Sequence, residues 1–92
     1  MDQFVVYILF SSKFSKTYVG FTCDLISRIK SHNELSSKGF TKNFRPWEVI
    51  HVEFFENKQD AMKREKFYKS GVGRQKVSEL IKALEGSYPP KA

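Results

Sequence analysis

The chain alternates short apolar runs with polar punctuation, and the spacing within each run changes along its length. Phe4 to Phe10 is rich in β-branched and aromatic residues, a Ser/Lys cluster follows, and Thr17 to Phe21 resumes the pattern, which predicts a hairpin. From Asp24 to Asn33 the apolar and edge positions become Leu25, Ile29 and His32, the period of a short helix, with Thr22 or Asp24 as its N-cap. Glu34 to Pro46 is polar and basic with Phe40 and Phe44 interleaved, the composition of an exposed loop, and Pro46 limits any helix there. Trp47 to Phe55 predicts a third strand, with Ile50, Val52 and Phe54 toward the core and Glu48, Val49, His51 and Glu53 away from it. Asn57 then caps a second helix that runs to about Ser70 and stops at Gly71. After the stretch GVG, the positions of Val77, Leu80, Ile81 and Leu84 mark a third helix, and 86–92 reads as a flexible tail. The order is β-β-α-β-α-α within one domain spanning 1–92.

Ninety-two residues bury only a modest core, which suits a single sheet with helices packed on it. The 16 Lys and Arg against 10 Asp and Glu leave a net charge of +6, a balance that favours polyanions through phosphate contacts, with nucleic acid ahead of an acidic membrane surface. No apolar stretch reaches the roughly 18 residues of a membrane span, and no secretory leader pattern opens the chain, so a soluble, cytoplasmic protein is expected. A lone cysteine, Cys23, excludes an intramolecular disulfide, and two histidines far apart in sequence leave no usual structural zinc set. A metal, if used, is held by oxygen.

Candidate chemistry begins in the second helix. At roughly 100° per residue, Ala61, Met62, Glu65 and Tyr68 share a stripe, which turns Glu65 inward while the lysines and Arg64 fall mostly elsewhere. An inward carboxylate needs a cation, a metal or several donors, so Glu65 is either a ligand or half of a structural ion pair, Arg28 being one candidate partner. Arg28 and His32 are four residues apart and flank the Leu25 and Ile29 stripe at the boundary of core and solvent. There an arginine can clamp a phosphate and a histidine can exchange a proton near neutral pH; a solvated Arg and an edge His are the plainer alternative. Tyr7 and Tyr18 share one face of the sheet if the hairpin register sets them opposite each other, with ordinary aromatic packing as the other explanation. Gly20, a glycine inside a strand, marks close approach by another backbone or a ligand.

These residues in this order resemble the GIY-YIG endonuclease superfamily, in particular its small stand-alone bacterial members related to the N-terminal domain of the excision-repair nuclease. VVY at Val5 to Tyr7 stands at the GIY position, YVG at Tyr18 to Gly20 stands at the YIG position, and ten residues separate the two tyrosines. YVGFTCDLISRIKSHN carries the arginine as Arg28 and, in the spacing R-x-x-x-H of some members, a histidine as His32. RPWEVIHVEFFENKQDAMKREKFYKSG is similar to the family's third strand and second helix, with Glu65 where the metal-binding glutamate stands. Val5 replaces the first glycine, and the late asparagine of some members is not identified.

The resemblance implies a three-stranded antiparallel sheet flanked by helices and Mg²⁺- or Mn²⁺-dependent hydrolysis of DNA phosphodiesters, in repair or recombination. It implies catalytic Tyr7, Tyr18, Arg28, His32 and Glu65, with Glu65 on the metal and either tyrosine as the general base. One inward carboxylate is adequate for Mg²⁺, which keeps several waters and takes substrate phosphate. Lys38, Lys42 and Arg45, with Phe40 and Phe44 between them, suit phosphate contact and base stacking, or else form a solvated loop anchored by its aromatics. Lys69, Arg74 and Lys76 add further DNA contacts, and Gly71 and Gly73 either offer amides to phosphate or simply stop a helix and make a turn. Specificity then comes from DNA structure, a protein recruiter or a homodimer. A noncatalytic nucleic-acid-binding module is the runner-up, and a protein-interaction domain with incidental charge ranks last.

Overall fold

The computed structural model describes residues 3–30, 33 and 44–87, with backbone alone for 85–87. The continuous apolar run at the start becomes β1 (Phe4–Ser11), the central strand of a three-stranded antiparallel sheet ordered β2-β1-β3, with β2 (Lys16–Thr22) and β3 (Glu48–Phe55) on its two sides. A central strand covered on both faces reads as unbroken hydrophobic sequence, and Val5 to Leu9 are all buried. Between β1 and β2 the hairpin turn places Ser15 in the left-handed region, at φ 53°.

Each face of the sheet has its own core. Val6, Ile8 and Val19 pack against Ala61 and Tyr68 of α2 (Lys58–Lys69) and Val77 of α3 (Gly71–Ser87). On the opposite face, Tyr7 and Leu9 pack with Trp47 and are flanked by Tyr18, Leu25, Ile29, Phe44 and Val52. Leu25 and Ile29 come from α1 (Leu25–Lys30), which is the short first helix that their spacing predicts. Its N-cap is Asp24, whose Oδ1 accepts from Ser27 N at 3.2 Å, while Thr22 Oγ1 accepts from Asp24 N at 3.0 Å.

The third strand departs from its expected alternation. Ile8 pairs with His51 and Leu9 with Val49, so a bulge falls at Ile50 and shifts the side-chain pattern by one residue. Ile50 joins the core beneath α2 and α3, Val52 faces Tyr7 in the other core, and Phe54 is 62% exposed rather than buried. Two covered faces explain the difference: apolar residues on β3 have two cores to enter, and polar ones can face either.

Asn57 caps α2 as expected, accepting from Asp60 N at 2.9 Å. The third helix begins earlier than expected, at Gly71 rather than after GVG, because Ser70 ends one helix and starts the next. Its backbone N–H reaches Phe67 O at 3.1 Å, its Oγ accepts from Gly73 N at 3.2 Å, and its carbonyl accepts from Arg74 N at 2.8 Å. A Cβ on Gly73 would lie 1.8 Å from Phe67 O, so this glycine permits the tight joint between helices. The helix continues to Ser87, two residues into the expected tail; 88–92 lie outside the described residues.

Asn33 closes the base of the connection to β3. Its Oδ1 accepts from Trp47 N at 2.7 Å and its Nδ2 donates to Trp47 O at 3.1 Å, so one side chain satisfies both backbone groups of a buried residue. Asn33→Ala leaves that donor and acceptor unpaired, and we expect a loss of about 2 kcal/mol in urea unfolding, with no change in the cooperativity of the transition.

Candidate active site at the open edge of the sheet

The hairpin register sets Tyr7 opposite Gly20 and Leu9 opposite Tyr18. The two tyrosines are therefore diagonal neighbours and not the directly opposed pair considered from sequence, but an offset of two residues keeps both on one face. Their rings stack with centroids 6.3 Å apart and planes inclined by 29°. Tyr7 lies across the strand onto Gly20: a Cβ there would meet Tyr7 Oη at 2.6 Å and Tyr7 Cζ at 2.8 Å. The close approach that a strand glycine signals is made by this phenol, and it brings the hydroxyl over β2, one of the two edge strands of the sheet.

Helix geometry brings the acid to the same edge. Ala61 and Tyr68 point into the core, and Arg64 and Glu65 flank that stripe on opposite sides, being about 100° apart. Arg64 turns to β3, where its Nε donates to Glu53 Oε1 at 2.8 Å, and so Glu65 turns toward β2. Met62, expected in the stripe, is 39% exposed, and Arg64, expected outside it, is half-buried. The Glu65 side chain is 20% exposed, with Lys69 Nζ at 3.6 Å from its Oε2; this lysine, and not Arg28, is its ion-pair partner among the described residues.

Electrostatics tie the four groups together. Burial pushes the Tyr7 hydroxyl well above the usual phenol range, the neighbouring Tyr18 and the charge of Glu65 push it further, and Arg28 pulls it back. Arg28 from α1 and Glu65 from α2 thus act on one hydroxyl from the two layers that sandwich the sheet. Tyr7 is 1% exposed, Tyr18 is half-buried and Arg28 is exposed. Such a set can neutralise an anion, donate a hydrogen bond to it and hold a cation beside it.

The remaining expected residues divide by position. His32, Lys38, Lys42 and Phe40 lie outside the described residues. Phe44 takes the anchoring role, packing on the Tyr7 core and edge-on to Phe14 at 5.5 Å. Arg45 is half-buried next to the buried Trp47. Lys69 and Arg74 line a cleft beside Tyr18, while Lys76 is about 200° round α3 from Arg74.

Sequence reasoning missed a polar cluster between β3 and α2. Glu53 accepts from Arg64 and Tyr68, and His51 Nε2 lies 2.7 Å from its Oε2, between β3 and α2. Burial alone would raise the Glu53 carboxyl, but hydrogen bonds from Tyr68, Arg64 and His51, with the charge of Arg64, hold it below the usual carboxylate range. A lowered folded value contributes stability that is complete above the unfolded value, about 4.3, and is lost as pH falls through the folded one. Glu53→Gln should therefore cost about 2 kcal/mol at pH 7 and flatten the acid limb of a stability–pH curve measured by chemical denaturation.

The chain thus folds as a single layer of antiparallel strands with helices on both faces and two stacked tyrosines on one of them. The GIY-YIG catalytic domain model matches residues 3–78, and the chain belongs to the GIY-YIG family. A UPF0213 protein of Clostridium perfringens is 39% identical over 72 residues, covering 78% of this chain and 76% of that one. A UPF0213 protein of Staphylococcus aureus is 38% identical over 82 residues, covering 89% of this chain and 98% of that one. The solution NMR structure of a UPF0213 protein from Bacillus halodurans is similar with a TM-score of 0.51 and 29% identity, over 85% of this chain and 84% of that chain. Family membership suggests nuclease activity and nucleic-acid binding. Among the described residues, no helix is long and apolar enough to cross a membrane.

Proposed function

We propose that the protein is a divalent-cation-dependent endonuclease that hydrolyses phosphodiester bonds in DNA. The observation that supports this reading is the stacking of Tyr7 and Tyr18 on one face of the sheet, with Arg28 of α1 and Glu65 of α2 near enough for their charges to act on the Tyr7 hydroxyl. Net charge of +6 supplies the attraction for the substrate.

The donor set fits Mg²⁺ or Mn²⁺ held by one carboxylate. Glu65 is partly exposed beside a single loosely placed lysine, and the described residues contain no cluster of three His, Cys, Asp or Glu that would suit zinc or a pair of metals. Glu65 would hold the ion, which when bound neutralises charge on the phosphate and the leaving 3′ oxygen. Arg28 donates to a nonbridging oxygen from the α1 side. Tyr7, kept protonated by burial, is a donor at neutral pH, placed to orient the attacking water or a phosphate oxygen. Tyr18 is the half-buried phenol and the remaining candidate to take the water's proton; His32, which would assist it, lies outside the described residues. Repair or recombination is the setting that fits such an activity.

A second reading, a noncatalytic nucleic-acid-binding module on the same face, has one observation on its side: the raised Tyr7 hydroxyl is a poor proton acceptor. Incubation of supercoiled and branched DNA with Mg²⁺ or Mn²⁺ separates the two. Nicking by the wild type that disappears in Glu65→Ala and Tyr7→Phe, with binding retained, supports the nuclease; equal binding by all three proteins and no cleavage by any supports the module.

A further inference from the structure

The turn between β1 and β2 continues the face of the sheet that carries the stacked tyrosines. Side chains two residues apart on a strand share a face, so Lys16, Tyr18 and Gly20 line up on the side of β2 that Tyr7 lies across. Tyr18 meets the ring of Trp47 there edge-on at 6.4 Å. At the turn end, Lys16 Nζ stands 5.4 Å from the centroid of Phe44, which packs on the core of Tyr7, Leu9 and Trp47. Before Lys16 the chain turns through 12–15, where every residue is exposed. Phe14 is 40% exposed, sits edge-on to Phe44 at 5.5 Å and has Lys13 Nζ 5.5 Å from its own centroid.

Two ammonium groups are thus held on one pair of aromatic rings. Neither lysine forms an ion pair among the described residues, and the sequence from Gln3 to Cys23 contains no Asp or Glu. Like charges gathered without a carboxylate repel each other, and an anion set against both relieves that cost. A cation over an exposed ring gains about 0.5–1 kcal/mol, enough to keep each lysine at the turn and too little to withhold it from a phosphate.

The distance from the site decides the kind of anion. At about 3.3 Å per residue, Lys16 lies roughly 13 Å along β2 from Gly20, where the Tyr7 hydroxyl rests. One phosphate cannot span that distance, whereas a duplex, rising about 3.4 Å per nucleotide, presents another phosphate of the same backbone roughly four steps on.

Resting on the nuclease reading, we propose that the tip of the β1–β2 hairpin anchors duplex DNA, with Lys13 and Lys16 on one phosphodiester backbone about four base-pair steps from the phosphate held at the site. The contact carries no sequence information. It fixes the direction in which the duplex leaves the site, along β2 toward the turn.

Fluorescence anisotropy of a fluorescein-labelled blunt duplex in EDTA, repeated across a range of KCl concentrations, tests the anchor. Lys13→Ala and Lys16→Ala should each weaken binding about fivefold at roughly 0.1 M salt and reduce the slope of log K against log[salt] by about one, the loss of one phosphate contact. Lys16→Arg keeps the charge and should keep the wild-type slope. Lys63→Ala removes the same charge from an exposed position on α2, which packs on the opposite face of the sheet, and should leave the slope unchanged. Lys13→Ala and Lys16→Ala that behave as Lys63→Ala does would show that net charge alone governs binding, and would overturn the anchor. Because binding is read without divalent cation, its outcome is independent of cleavage. A protein that nicks DNA but binds it equally well without Lys13 or Lys16 loses only the anchor, and one that binds through them yet never nicks loses only the nuclease reading.

Discussion

Glu65→Gln lowers divalent-cation-dependent cleavage by on the order of a thousandfold and leaves the fold intact. The catalytic loss follows from the donor set, since no cluster of three potential metal ligands stands among the described residues to compensate for Glu65. The small structural effect follows from its surroundings: its ion-pair partner is an exposed lysine at 3.6 Å on the same helix, a pairing worth a few tenths of a kcal/mol. Single-turnover nicking rates at saturating Mg²⁺, with thermal melts alongside, check both halves. Retained cleavage with an unchanged rate would remove Glu65 from the mechanism, whereas a collapse in melting temperature would reassign it to structure.

Gly20→Ala is expected to reduce cleavage by about a hundredfold, although residue 20 carries no chemistry of its own. The added methyl needs space held by Tyr7 Oη and Cζ, at 2.6 and 2.8 Å, and it also crowds Tyr18 Cε1 at 3.1 Å. Tyr7 is fully buried and has little room to rotate, so its ring must slide, and displacement of a reacting group by about 1 Å costs on that order. Overpacking should also lower stability by about 1–3 kcal/mol. The discriminating measurement is a double-mutant cycle. In a Tyr7→Phe background the further loss of activity from Gly20→Ala should be small, because the hydroxyl it displaces is already gone; full additivity would show that Gly20 acts by another route.

Local signals in the sequence were sufficient for the elements. The strands, the Asn57 cap and the Leu25 and Ile29 face depend on neighbouring residues, and each stands where its pattern placed it. Glu65 at the flank of an apolar stripe was legible for the same reason. What sequence could not supply was pairing across elements. The bulge at Ile50 changes which residues of β3 face each core, and nothing in EVIHVEFF announces it. The cluster of His51, Glu53, Arg64 and Tyr68 joins two elements whose separate patterns class three of the four as polar surface. Asn33 reads as the end of a helix, yet its amide serves the backbone of Trp47, fourteen positions away. The same holds for the two tyrosines: their sharing a face was foreseeable, but only the register shows that Tyr7 meets Gly20 and is offset from Tyr18.

Manganese mapping addresses the arrangement itself, apart from turnover. In ¹⁵N-labelled protein bound to a short forked DNA with a nuclease-resistant phosphorothioate junction, trace Mn²⁺ should broaden first the amides of Tyr7, Gly20, Arg28 and Glu65, and Glu65→Gln should abolish the effect. Broadening centred instead on another carboxylate, such as Asp24 or Asp60, would place the cation away from the tyrosines and contradict a single catalytic centre at the β2 edge.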